Sequence, residues 1–234
     1  MKPGTNKNTA RLAGLLYLIV VVTGVFSLAY VPSKLIVWND AAKTFQQIAA
    51  SESLFRLSLV SSAICYVAFL LLPFVLYKLL NSVSEIAAKL MMILASVSVP
   101  ISILNLQNKY AVLTFLSGEN YLNIFTEQQL HAQIMLLLEK YDSGILIVSV
   151  FWGLWLFPFG YLVYKSGFLP RILGALLMLG CCGYLISFVG NTMMQNYGDT
   201  FISDYARIPA SLGEIGSCFW LLLRGINEKM VLKD

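Results

Sequence analysis

Glu214 is the first residue in this chain whose chemistry asks for an account. It stands seven positions after Arg207, inside an apolar stretch, with Ser211 and Ser217 sharing its helical face. A charged side chain at mid-span costs about 2.5–3.5 kcal/mol on insertion scales, so a carboxylate there faces a protein interior or a wet cavity. A second set lies in an earlier apolar stretch. Ser98, Ser102, Asn105 and Lys109 recur at spacings of four, three and four, which puts them on one stripe of a helix. Pro100 stands among them and frees backbone carbonyls by its missing N–H. If both helices end at the outer surface, Lys109 and Glu214 share a depth of roughly 10–12 Å, at about 1.5 Å per residue. Two readings fit: an intramembrane Lys109–Glu214 ion pair, or a helix that emerges near Tyr110 and lets Lys109 snorkel into the interface. Glu214 itself is either a functional carboxylate or a hydrogen-bonded tie between helices.

Other polar residues gather at the outer ends of apolar stretches: Arg56, Tyr141 with Asp142, and Arg207. Arg56 and Arg207 could grip a phosphate or carboxylate with two parallel N–H donors, or serve as flanking anchors. Asn191 follows Gly183 and Ser187 on one helical line, a spacing of small residues that lets helices approach closely. The candidate pocket set is therefore Glu214, Lys109, Asn105, Asn191, Arg207, Arg56, Asp142 and Tyr141. No metal or cofactor is expected. His131 is the single histidine, and zinc needs several ligands. The four cysteines, Cys65, Cys181, Cys182 and Cys218, lie in apolar stretches without metal spacing and read as small core residues. No serine has a nucleophile-elbow context and no phosphate loop is present, which disfavours the familiar enzyme classes.

What must position these residues is a membrane bundle. Apolar stretches run over about 12–31, 57–80, 90–116, 144–164, 172–194 and 208–223, and 58% of the 234 residues are hydrophobic against 12% charged. A typical soluble domain is about 25% charged. About 20 apolar residues cross a hydrocarbon core of about 30 Å, and helices satisfy every backbone polar group there. The expected fold is all-α: one polytopic membrane domain over residues 1–234 with six transmembrane helices. The first stretch has the basic start and the Ser27-Leu28-Ala29 ending of a signal peptide, but its length favours a retained anchor.

Charge sets the expected orientation. With the N-terminus inside, ten of the 16 Lys and Arg residues fall on the inner side, among them Lys2, Lys229 and Lys233, while most acidic residues fall outside. The positive-inside rule then places both termini in the cytoplasm. Of the inner acidic residues, Glu228 and Asp234 lie at the C-terminus. The net charge of +4 calls for no nucleic-acid partner. The outer connections 40–56 and 126–141 open on Asp40 and Thr126 caps and carry apolar residues at helical spacing. They read as amphipathic helices on the outer surface, or as a lid over a cavity.

Four blocks carry a resemblance. They are Ala10-Arg11-Leu12-Ala13-Gly14-Leu15-Leu16-Tyr17-Leu18; Asp40-Ala41-Ala42 with 51–56; the segment 160–174 with its Leu169-Pro170-Arg171 turn; and Gly213-Glu214 with Trp220-Leu221-Leu222. In this order they resemble a bacterial six-span membrane family of unknown function, the domain-of-unknown-function family numbered 4386. The resemblance implies a prokaryotic cytoplasmic membrane and six helices, and it brings no activity. Its members often carry a histidine where this chain has Tyr141-Asp142-Ser143-Gly144, which weakens general-base chemistry at that point.

The leading expectation is a non-enzymatic protein that binds a lipid or small amphiphile in an outward-facing pocket walled by the third, fifth and sixth spans. A proton-coupled transporter, an intramembrane lipid-modifying enzyme and a structural or regulatory subunit are the alternatives. Membrane lipids are the expected partners, with a second copy or another membrane protein left open.

Overall fold

The computed structural model describes residues 3–225; the expected inner charges Lys2, Glu228, Lys229, Lys233 and Asp234 lie outside the described residues. The chain is all helix, with no strand among the described residues. Helix α1 (Pro3–Val25) passes through a π-helical turn at Phe26–Tyr30 into α2 (Val31–Leu35). Then come α3 (Ala41–Ala50), α4 (Glu52–Leu80), α5 (Glu85–Leu116), α6 (Glu127–Leu154), α7 (Leu156–Ser166), α8 (Arg171–Met193), α9 (Phe201–Tyr205) and α10 (Ile208–Leu223).

Among the described residues five helical stretches are long and apolar enough to cross a membrane: Lys7–Leu35, Glu52–Leu80, Glu85–Leu116, Glu127–Ser166 and Arg171–Met193. The sixth expected span forms α10, of 16 residues. At about 1.5 Å per residue that is about 24 Å, short of a full hydrocarbon core. Gly225 ends it: φ is +69° there, and its N–H bonds the Trp220 carbonyl. Outward faces show why a bilayer suits the bundle. Along α4, Leu57, Val60, Ile64, Val67, Leu71 and Phe74 recur every three or four residues and stand about half exposed, while Leu59, Tyr66, Phe69 and Leu72 are buried on the other side. An apolar stripe on both faces of a helix is unsuited to water. By length and composition the helices suit a multi-pass membrane protein.

Local sequence explains the breaks. Asp40 accepts from the Lys43 N–H at 2.9 Å to start α3, and Thr126 with Gln129 forms a reciprocal capping box at the start of α6. Segment 126–141 is not a separate surface helix but the first turns of α6. No breaker separates it from the apolar residues that follow, and Ile134, Leu138 and Tyr141 pack into a core with Leu106, Val112 and Leu113 of α5. Nor does α3 lie bare. It sets Ile48 into that core and packs Phe45 at a tilt against the His131 ring of α6, centroids 4.5 Å apart. The fourth stretch is interrupted at Trp155, where Pro158 withholds the N–H that the Leu154 carbonyl would take. Pro73 and Pro100, by contrast, lie inside unbroken helices.

Close glycine contacts fix the crossings. A Cβ on Gly14 would lie 2.5 Å from the Leu222 backbone nitrogen, so α1 and α10 touch backbone to backbone. Gly160 and Gly174 would each meet the other's carbonyl at 2.6 Å, which locks α7 against α8. Gly180 rests on Ala210 and Gly183 on the Ala206 carbonyl, so the small residues of the fifth stretch are packing positions. Three cysteines are buried as expected; Cys182 is exposed on the outer face of α8.

Candidate functional site

Two buried polar centres emerge, and the eight candidate residues divide between them and the surface. The first surrounds Glu214. The Tyr17 hydroxyl donates to its Oε1 at 3.1 Å, tying α10 to α1. Both residues line a cleft of about 230 Å³ at the middle of the bundle. From α1 come Tyr17, Val20, Val21, Gly24 and Val25; α4 adds Cys65, Tyr66 and Phe69; Trp152 and Trp155 lie across from them. Tyr184 of α8 and Ser211, Glu214 and Ile215 of α10 close the ring. The walls therefore belong to the first, second, fourth, fifth and sixth apolar stretches. The third, α5, contributes nothing to the lining, contrary to expectation. α1 and α10 touch at Gly14, and farther along the pair Val25 of α1 and Ser211 of α10 line the cleft. Val25 is 58% and Ile215 41% exposed, so the cleft opens sideways between these two helices.

The second centre surrounds Lys109, and it corrects the ion-pair expectation. Lys109 is 2% exposed, so it does not snorkel, and among the described residues no ion pair joins it to Glu214. Its Nζ donates to the Ser27 carbonyl at 3.4 Å and lies 4.4 Å from the centre of the Tyr141 ring. Backbone logic explains the choice of carbonyl. In the π-helical turn the Val31 N–H bonds Phe26 O, so the next bond in that register would run from residue 32 to Ser27 O. Residue 32 is proline and has no N–H, which orphans the Ser27 carbonyl. Lys109 fills the vacancy, and the ring face of Tyr141 holds its charge. Asn105 sits in the same cluster. Its Nδ2 donates to the Tyr141 carbonyl at 2.8 Å, and its Oδ1 accepts from Asn108 at 3.0 Å. Gly144 permits this fit, since any Cβ there would strike the Asn105 amide.

One contact joins the two centres. The hydroxyls of Tyr66, which lines the cleft, and Tyr141, which covers Lys109, stand 3.4 Å apart. The other candidates fall outside. Arg207 is exposed and stacks 5.2 Å from the Tyr184 ring centre, at the rim of the cleft. Asp142 is exposed, within electrostatic reach of Arg207. Asn191 is exposed and returns its Nδ2 to the Ser187 carbonyl of its own helix at 2.8 Å. Arg56 pairs with Glu52 one turn away, Nε to Oε1 2.6 Å, on the surface. Among the described residues no three His, Cys, Asp or Glu are placed to hold a metal ion.

Sequence reasoning missed the aromatic lining. The available signal was the depth of Tyr17, Tyr66 and Tyr184, which sit well inside apolar stretches. Tyrosine in a membrane protein is enriched at the interfaces, so a deep one needs a partner for its hydroxyl.

Comparison with known proteins gives a family and no activity. The family described as a domain of unknown function (DUF4386) matches residues 12–225. A curated protein of Archaeoglobus fulgidus, described as an uncharacterized protein, is 35% identical over 79 residues, which is 32% of this chain and 43% of that protein. The match thus spans less than half the length of the archaeal relative. No solved structure matches the chain.

Proposed function

The chain belongs to the DUF4386 family, whose activity is unassigned, and on that premise we propose that it binds a lipid or small amphiphile in the cleft beside Glu214. One observation carries the reading. A partly buried carboxylate, held by a tyrosine hydroxyl, sits in an apolar and aromatic cleft whose exposed edge opens between two apolar helices. Ligand sites have this composition: predominantly apolar walls with a few placed polar groups. The volume lies below the about 300–1,000 Å³ usual for drug-sized ligands, which suits a headgroup or a short length of chain. A mouth between α1 and α10 lets an amphiphile enter from the bilayer with its chain still in lipid.

In this reading α10 is the sixth crossing, its shortness met by thinning of the bilayer or by flanking Arg207 and Arg224. Both termini are cytoplasmic, and the mouth, on the C-terminal half of α1 and the N-terminal half of α10, opens in the outer half of a prokaryotic cytoplasmic membrane. The packing of α1 against α4 and α10 supports a retained first helix. The test is mass spectrometry of the purified protein. Copurified lipid or amphiphile is expected with the native chain and absent from Glu214→Gln. A native protein that carries no such molecule, and whose cleft tryptophans respond to none, would overturn the reading.

A further inference from the structure

We infer that the head of the bound molecule is an alkylated ammonium cation, an inference that rests on the amphiphile reading above. Three features of the cleft converge on that class. Its one carboxyl lining group is Glu214, among the described residues no Lys or Arg forms an ion pair with it, and a cationic guest would favour its ionised form. Six aromatic side chains, Tyr17, Tyr66, Phe69, Trp152, Trp155 and Tyr184, line the same small space. Aromatic faces carry negative charge density and attract cations, and rings gathered round a carboxylate recognise quaternary ammonium groups.

The hydrogen-bonding groups narrow the class further. The Tyr17 hydroxyl is given to Glu214, and the Tyr66 hydroxyl is engaged with Tyr141. Ser211 returns its hydroxyl to the Arg207 carbonyl at 3.3 Å. A primary ammonium would bring three N–H donors to a cleft with few free acceptors and lose part of its hydration. A trimethylammonium head has no donors to satisfy and presents methyl groups to the rings. A phosphate head would find no Lys or Arg among the lining residues to balance its charge. Arg207, stacked at the rim on Tyr184, keeps the guest head on the inner side, toward Tyr17 and Trp155. The alkyl chain leaves past Val25 and Ile215 into the bilayer.

The protein carrying Trp38→Phe and Trp220→Phe, in phosphatidylglycerol nanodiscs, provides the test, read by the fluorescence of the remaining Trp152 and Trp155. Three probes share a ten-carbon chain: decyltrimethylammonium, decanol and decyl sulfate. The cation should quench saturably at about tenfold lower concentration than the other two, a preference the size of a desolvated cation–π or charge contact. Glu214→Gln should abolish that preference without changing the response to decanol. If Glu214→Gln does not fold, Tyr184→Leu, which keeps both reporter tryptophans, should weaken the cation several-fold and decanol little. Equal saturable binding of all three probes would overturn the cationic head and leave the amphiphile cleft standing. No saturable response to any probe would overturn both. Adding phosphatidylcholine to the discs separates two sources of the same chemistry. Competition with decyltrimethylammonium upholds the proposal with a lipid headgroup as guest; its absence, with preference retained, upholds it with a free lipophilic cation.

Discussion

Glu214 and Lys109 are an acidic and a basic side chain inside one helix bundle, yet the protein handles them in opposite ways. Lys109 is sealed: it is 2% exposed, with a backbone carbonyl and a ring face as fitted partners. Glu214 stands at an open cleft with one tyrosine hydroxyl on one of its oxygens. A buried charge must be paired or hydrogen-bonded, because leaving it bare costs far more than the pairing returns. Lys109 meets that demand within the fold, so it is structural. Glu214 keeps an oxygen facing a space that a ligand can fill. The lesson is that a polar residue inside a membrane span is a functional candidate only when the fold leaves its chemistry unfinished.

The contrast can be broken most forcefully by Lys109→Glu. A carboxylate would then face the Ser27 carbonyl and the negative face of Tyr141, and no folded, monodisperse protein is expected on size exclusion in detergent. Recovery of a well-folded variant would show that the Lys109 centre is not sealed. Lys109→Met leaves the Ser27 carbonyl without a donor. It should lower unfolding stability by about 1–3 kcal/mol, the cost of a buried unsatisfied group, measured by denaturant titration in micelles. Cleft binding should persist in this variant.

Tyr141→Phe sharpens the comparison, because it keeps the ring over Lys109 and removes the hydroxyl that touches Tyr66. A loss of about 0.5–1.5 kcal/mol is expected, with no change in bound amphiphile. A change in binding would mean that the two centres act as one. Arg56→Ala should do least. Its exposed pair with Glu52, one helical turn apart, is worth about 0.3–0.5 kcal/mol, and ligand copurification should match the native protein.

Particular residues show what was legible in advance. The apolar stretches were readable because a bilayer demands about 20 apolar residues in a row, and five of them appear as helices of that length. Caps at Asp40 and Thr126 were readable because their side chains act on backbone two or three residues away. The Lys109–Glu214 pair failed because depth along two helices says nothing about rotation or neighbourhood. Lys109 is turned toward the π-helical turn and α6, while Glu214 meets Tyr17 of α1. The π-helical turn that receives Lys109 also escaped notice, although Pro32 marked the carbonyl left without a donor.

By itself the sequence determined that this chain is helical, apolar on both faces of its helices and suited to a membrane. Those properties follow from local composition and spacing, which act over a few residues. Tertiary structure alone decided which polar groups meet. Whether Glu214 faces a cleft or a cation depends on how α1 and α10 pack against each other, through contacts between residues about two hundred positions apart. Packing between distant segments sets that arrangement, and no pattern along one helix encodes it.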